Sequence, residues 1–181
     1  MFIIGGSVIL LLLIIIAGWW ISTSNNFIRM GNKLKESASG IEVSLVKRHD
    51  LLTKMLDATK GYMAHERETF AEIVSLRRGM SIPEMNQAND QMNRMEARIK
   101  LLAENYPQLR SSDVFCQLQH SIHDCEEHLQ AARRLYNSNA TSFNNAIQVF
   151  PNSIVSGMKK MVPAAFFAAE TGKLQDVRMS F

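Results

Sequence analysis

The sequence predicts an all-α protein, in which an N-terminal transmembrane helix precedes an elongated antiparallel bundle of long, coiled-coil-like helices. An uncharged apolar run occupies residues 2–21, apolar residues then recur in helical steps of three or four, and one such stretch, 113–150, contains no Gly or Pro. We therefore divide the chain into a membrane anchor with a joint at 1–26, a helical bundle at 27–163 and a loosely attached tail at 164–181.

The N-terminal run reads FIIGGSVILLLLIIIAGWWI from Phe2 to Ile21. A helix of that length spans roughly 30 Å, the thickness of a bilayer core, and Trp19 and Trp20 fall where an interfacial aromatic belt lies. A cleaved signal peptide is the alternative, but no Lys or Arg precedes the run and no A-x-A-like site follows it. The run is therefore predicted to be a transmembrane helix.

Charge predicts the orientation of the chain and argues against one class of partner. No basic side chain precedes the apolar run, whereas Arg29, Lys33 and Lys35 follow it closely. Because positive charge marks the cytoplasmic flank of a membrane helix, we expect the N-terminus outside and the helical domain in the cytoplasm. The formal net charge is only +3, so no nucleic-acid partner is expected.

The bundle is predicted to contain long helices at 27–80, from Pro83 to Asn105, and at 113–150, after a polar joint at 22–26. The last would be roughly 55 Å long at ~1.5 Å per residue, and its apolar stripe must be covered by the other helices. The stripes are Leu34, Ala38, Ile41, Leu45, Leu52, Met55 and Leu56, then Met85, Ala88, Met92, Met95, Ile99 and Leu102, then Phe115, Leu118, Ile122, Cys125, Leu129, Ala132, Tyr136, Ala140, Phe143, Ile147 and Phe150.

Smaller signals refine these helices and the tail. Ser81 is the nearest hydroxyl that could cap the helix at Pro83, and Gly79 is a possible C-terminal glycine of the preceding one. Arg48 interrupts an apolar stripe, so we expect its stem to pack while its guanidinium either reaches out to solvent or pairs with an acid on a neighbouring helix. The tail carries apolar residues that could dock on the bundle or on the membrane surface, namely Phe166, Phe167 and Phe181.

Candidate catalytic motifs are incomplete. His65-Glu66 would need a second His at the position of Thr69 to form a zincin helix. Cys116 and Cys125 lie about 13 Å apart along one helix, too far to bridge each other, and are predicted to be reduced thiols. No phosphate-binding glycine loop or nucleophile elbow occurs, so we expect neither an enzyme nor a cofactor.

One histidine row offers a metal-binding alternative. His120, Asp124 and His128 fall four residues apart, with His123 beside them, so one helix face could present metal ligands. Solvated or hydrogen-bonded surface histidines produce the same spacing.

Two sets of sequence blocks carry a family resemblance. The first contains IEVSLVKRHDLL at 41–52, TKGY at 59–62 and HE at 65–66. The second contains, in order, ENYPQL at 104–109, Phe115, Leu118-Gln119, Glu126, Ala132-Arg133-Arg134, Tyr136-Asn137, Phe143-Asn144, Ile147 and Phe150-Pro151. Together they resemble the LemA family of small bacterial membrane-anchored helical proteins over residues 27–181. Thr53-Lys54 stands where that family usually has Pro-Asn, so the first long helix is expected to run straighter.

The resemblance implies an inner-membrane helix and an antiparallel bundle, and it implies no agreed biochemical activity. The polar residues in the matching blocks are Arg48, His49, Asp50, Glu66, Glu126, Arg133, Tyr136 and Asn137. If the helices pack antiparallel, several of these residues are expected to form an interhelical network that sets helix register, or a binding groove.

Two classes of function follow from the sequence. The first is a single-pass scaffold or recruitment protein at the bacterial membrane, whose partners are the lipid bilayer and either further copies of the chain or other membrane-associated proteins. A membrane-remodelling structural protein is a variant of this class. The second is a metal-dependent enzyme or metal sensor that uses the histidine row.

Overall fold

A computed structural model describes residues 2–59, 76–77 and 79–167, with the backbone alone described for 2–5. The regular structure in these ranges is entirely α-helical, which confirms the predicted fold class. The helices are α1 (Phe2–Thr59), α2 (Ile82–Asn105), α3 (Pro107–Arg110), α4 (Asp113–Gln148) and α5 (Asn152–Met158). His65, Glu66 and the tail beyond Phe167 lie outside the described residues.

α1 is one uninterrupted helix of 58 residues, so the predicted joint at 22–26 is wrong. That polar stretch has no Gly or Pro, and its Ser, Thr and Asn residues each cost less than about 0.7 kcal/mol in a helix interior. Thr23 and Phe27 are buried, so packing on this side of α1 offsets the poor local propensity. The helix also runs unbroken through Thr53-Lys54, as the absence of a proline predicts.

The prediction that this helix reaches Met80 is wrong as well. Leu76, Arg77 and Met80 are not helical, and Gly79 has a φ of +73°, the left-handed conformation that favours glycine. α2 then begins after Ser81, whose backbone N–H and hydroxyl donate to the Glu84 carboxylate at 2.7 and 2.8 Å. Ser81 is thus confirmed at the start of α2, with the acidic partner three residues on.

The chain divides into two compact units, to which α1 and α4 both contribute. We call Met1–Ser37 with Asn137–Ala164 the anchor unit, and Ala38–Tyr136 with Ala165–Phe181 the bundle unit.

In the anchor unit, α1 and α4 pack antiparallel around a small apolar cluster. Phe27, Ile147 and Val155 form its buried centre. Partly buried side chains packed against this centre are Trp19, Trp20, Phe143, Ala146 and Met161. α5 folds back onto the end of α4, where the Ser156 hydroxyl donates to the carbonyl of Ile147 at 2.5 Å.

In the bundle unit, α1 and α4 again run antiparallel, with Gly40 opposite Ala132 and the Cys125 thiol 3.4 Å from the carbonyl of Ser44. Both thiols are free, as predicted. The fully or almost fully buried apolar residues of this unit include Ile41, Leu45, Leu52, Met55, Met85, Ala88, Met92, Ile99, Leu102, Leu109, Phe115, Ile122, Cys125 and Leu129. They coincide with the predicted stripes, with Leu109 of α3 added.

Candidate functional site

A buried ionic cluster in the bundle unit joins α1, α2 and α4 at Arg48. One terminal nitrogen of Arg48, Nη1, donates to Asn89 Oδ1 at 2.7 Å and lies 3.2 Å from Glu126 Oε2. The other, Nη2, donates to Glu96 Oε2 at 2.8 Å. Lys100 Nζ lies 2.6 Å from the second oxygen of Glu96. We call these five residues the Arg48 cluster.

Four of the five members reach the cluster from positions on the inward faces of their helices, and Lys100 reaches it from an exposed position on α2. Arg48 lies between buried Leu45 and Leu52 on α1. Asn89 and Glu96 are seven residues apart on α2, and Glu126 follows buried Ile122 by one helical turn on α4. On all three helices, Arg48, Asn89, Glu96 and Glu126 therefore lie on the same inward face as the buried apolar residues.

The charges of the cluster compensate one another. Arg48 is only 3% exposed, and its charge and that of Lys100 balance the charges of Glu96 and Glu126. Burial by itself raises the pKa of Glu96, but the hydrogen bonds and charges of Lys100 and Arg48 outweigh it and lower that pKa overall. Glu96 is therefore ionised at neutral pH, as the pairing requires.

The neighbours of the cluster complete its contacts. The remaining oxygen of Glu126 accepts from Gln130 Nε2 at 2.9 Å, which orients the carboxylate toward α1. Cys125, the adjacent thiol, has its pKa raised, chiefly by burial, so it is a protonated packing residue and not a nucleophile. Within the described residues, Arg48 Nε makes no hydrogen bond. A buried ion pair adds little net stability over an apolar replacement, but removing one partner alone is strongly destabilising.

The structure brings only part of the predicted network together. Arg48 and Glu126 meet, but His49 faces Asp50 of its own helix, with Nδ1 and Oδ1 3.7 Å apart. Arg133 is half-buried and Asn137 lies on α4 away from the cluster, while Glu66 lies outside the described residues. The residues that sequence reasoning missed are Asn89, Glu96 and Lys100. The seven-residue spacing of Asn89 and Glu96 along a Met-rich stripe was the available signal.

Tyr136 has a different role from the one predicted. In the bundle unit its hydroxyl donates to the carbonyl of Ala165 at 2.8 Å, and Asn86 Nδ2 donates to the carbonyl of Phe166 at 3.4 Å. Burial raises the pKa of Tyr136, which keeps the phenol a neutral donor. Phe167, predicted to dock, is buried, whereas Phe166 is exposed.

Asn144 makes a corresponding contact within the anchor unit. Its side-chain amide donates to the carbonyl of Ala164 at 3.0 Å and accepts from the N–H of the same residue at 2.7 Å. This two-way pairing satisfies both backbone groups of Ala164. The chain after α5 is thus held by backbone recognition at the start of the predicted tail.

The histidine row gains no geometric support. His120, His123, Asp124 and His128 are all exposed on α4, and His123 Nε2 lies 3.9 Å from Glu127 Oε1. Across the described ranges, no three His, Cys, Asp or Glu side chains are gathered so that they could hold a metal ion.

Comparison with known proteins agrees with the sequence blocks. Residues 37–181 match the family model described as the LemA family. The chain is also 27% identical over 165 residues to the protein named LemA of Metamycoplasma hominis, an alignment that covers 88% of this chain and 75% of that relative. With a helical bundle, a long apolar N-terminal helix and a family match over most of its length, the chain belongs to the LemA family.

Proposed function

We propose that this protein is a single-pass, membrane-anchored scaffold that presents its helical bundle at the cytoplasmic face of the bacterial inner membrane and recruits further copies or other membrane-associated proteins. The observation that carries the proposal is the uncovered first part of α1. Every residue from Val8 to Ile16 is a large aliphatic side chain, and each is between 51% and 65% exposed. In the described part of the chain, α1 is the one helix long and apolar enough to cross a membrane.

The uniform exposure of this surface supports a bilayer as its environment. A helix that is apolar on all sides must be covered by protein or by lipid, and no protein segment among the described residues covers Val8–Ile16. Hydrocarbon is the environment in which such a helix needs no polar side. α1 continues without a break from this surface to Thr59.

The contacts made by the Arg48 cluster and by Asn144 support a scaffolding role. The charges of the Arg48 cluster are occupied in joining three helices, and the amide of Asn144 is occupied in holding the backbone. The long α4 instead presents exposed polar side chains along its outer face, among them His120, Asp124 and His128. We infer that further copies or other proteins bind along this exposed face of α4.

The anchoring proposal is tested by placing charge inside the apolar run. Leu12→Arg with Ile15→Arg is expected to release the full-length protein from carbonate-washed membranes, because each central charge costs about 3 kcal/mol of insertion free energy. Val43→Arg with Val46→Arg is the matched control, since it adds the same charge at exposed apolar positions of the same helix. A wild-type protein that carbonate extracts completely would overturn the proposal.

Orientation and assembly need separate measurements. A reporter that fluoresces only in the cytoplasm, fused after Phe181, is expected to be bright, and a phosphatase active only outside the cell is expected to be inactive there. Arg29, Lys33 and Lys35 on the C-terminal flank of the apolar run support this orientation. The mass of the full chain in detergent, measured by light scattering, is expected to exceed that of a monomer. A strictly monomeric protein would contradict self-association.

A further inference from the structure

A patch of exposed apolar side chains surrounds α5 in the anchor unit. We call it the tip surface, and it consists of Val149, Phe150, Ile154, Met158 and Val162, whose exposed fractions are 58%, 77%, 48%, 71% and 76%. Lys159 and Lys160 lie in the same turn. Single exposed apolar residues are ordinary, but five around one short helix form a patch that marks an interaction site.

The contacts of α5 place the tip surface beside the end of the apolar run. Val155 of α5 packs in the cluster with Phe27, and Trp19, Trp20 and Met161 pack against the same cluster. The Lys159 ammonium donates to the hydroxyl of Ser24 on α1. Ser24 is only three residues, or ~4.5 Å of helix rise, beyond Ile21, where the apolar run ends.

The position of the tip surface beside the end of the apolar run indicates what covers it. A bilayer whose hydrocarbon core surrounds residues 2–21 has its headgroup layer at the level of Trp20 and Ser24, which is the level of α5. Exposed apolar side chains with neighbouring lysines are the composition of interfacial membrane-binding elements, whose cations pair with anionic headgroups. From this geometry we propose that the tip surface inserts into the headgroup region of the same bilayer that α1 spans, as a second membrane contact; this inference rests on the proposed anchoring of α1.

The backbone of the same turn adds support. Lys160 has a φ of +51°, and the N–H groups of Lys160 and Met161 bond to the carbonyls of Gly157 and Ser156 at 3.1 and 3.0 Å. This is a Schellman ending of α5, in which the left-handed position is usually glycine. Lys160 therefore holds its ammonium in this turn at a conformational cost that glycine would avoid.

The test measures the depth of single fluorescent labels on the full-length protein in vesicles of phosphatidylethanolamine and phosphatidylglycerol. Exposed Cys116 is first replaced by Ser, and Met158→Cys then carries an environment-sensitive dye. Lipids brominated near the carboxyl end of their acyl chains quench dyes that enter the bilayer. Val114→Cys is the matched control, because it is a similarly exposed apolar residue near the opposite end of α4.

We expect quenching at Met158 to exceed that at Val114 by at least about twofold, because an interfacial element lies within reach of the brominated chains. Equal quenching at the two positions would overturn the inference. A blue-shifted Met158 dye that brominated lipid does not quench would also overturn it, because a protein surface would then cover the patch. Resistance of the same preparation to carbonate shows whether α1 is anchored, so failure of the tip contact and failure of the anchor are distinguishable.

Discussion

The two units of this protein use the same pair of helices, α1 and α4, but differ in the polar contacts that accompany their apolar cores. The bundle unit places a compensated set of charges at Arg48 between three helices. The anchor unit has an apolar cluster at Phe27 and a side-chain amide that binds backbone at Ala164. Buried charges are directional but cost desolvation, whereas apolar burial stabilises without direction. Both units bury apolar side chains, and the difference teaches that one long helix pair can satisfy its buried polar groups with compensating charges in one unit and with neutral backbone contacts in the other.

The largest expected effect is at the apolar centre of the anchor unit. Phe27→Ala should destabilise the protein by about 4 kcal/mol, because it removes a buried aromatic ring and leaves a cavity. Denaturant unfolding of the full chain in detergent measures the loss. Ile28→Ala, at an exposed position one residue on, should change stability far less. Equal losses at both positions would mean that the cluster does not stabilise the unit.

Removing the Arg48 charge from the bundle unit should lower the free energy of unfolding slightly less than Phe27→Ala does. Arg48→Met leaves Glu96 and Glu126 without their partner, and we expect a loss of about 3 kcal/mol, since both carboxylates keep some solvent contact. The same unfolding measurement applies, with Lys47→Met as the exposed control on the same helix. Adding Glu96→Gln and Glu126→Gln to Arg48→Met should recover part of the loss. A triple variant less stable than the single one would contradict charge compensation as the cause.

The hydrogen bonds between the Asn144 side chain and the Ala164 backbone are expected to contribute less to the free energy of unfolding than Arg48 does. Asn144→Ala removes two neutral hydrogen bonds to Ala164, for an expected loss of about 2 kcal/mol. Hydrogen exchange at the Ala164 amide should accelerate, whereas exposed Asn145→Ala leaves it unchanged. Unaltered protection in the Asn144 variant would show that the pairing does not hold this segment.

Acid should weaken the charged contacts and leave the apolar ones unaffected. The folded-state pKa of Glu96 lies below its ordinary 4.5, and the Ser81 backbone N–H, the Ser81 hydroxyl and Arg77 lower that of Glu84 to about 2. Lowered carboxyl pKa values contribute stability that is present above pH 4.5 and is lost as pH falls from there toward 2. Thermal unfolding against pH should show this fall, reduced in Glu96→Gln and retained in Phe27→Ala. An undiminished fall in the Glu96 variant would exclude that carboxylate as a source.

The smallest effect is expected at the turn after α5. Lys160→Gly should stabilise the protein by up to about 1 kcal/mol, because glycine adopts the positive φ without a Cβ clash. Lys160→Ala keeps the clash and serves as the control in the same thermal unfolding measurement. If the tip surface binds lipid, the glycine variant should also bind anionic vesicles less tightly despite its higher stability.

The sequence by itself determined the three long helices and most of the residues that they bury. Phe150 is the exception in the third predicted stripe, because α4 ends at Gln148 and Phe150 is 77% exposed. The third predicted helix was placed at 113–150 and is found at Asp113–Gln148, since uninterrupted periodicity and a capping region are local signals. The sequence predicts a joint at 22–26, but the helix is continuous there. A polar stretch breaks a helix only where tertiary packing does not offset its poor helix propensity, and here Phe27 is packed in the anchor unit.

Only the tertiary structure decided which polar groups meet. Periodicity leaves open whether the Arg48 guanidinium reaches solvent or pairs with an acid, and its partners Asn89 and Glu96 lie 41 and 48 residues away on another helix. Their approach depends on the rotation and register of three helices, which no local pattern encodes. The same holds for Tyr136, which was expected in the ionic network and instead binds the carbonyl of Ala165, because the chain after α5 returns along α4. Local sequence determines which faces are buried, and packing at long range determines what those faces contact.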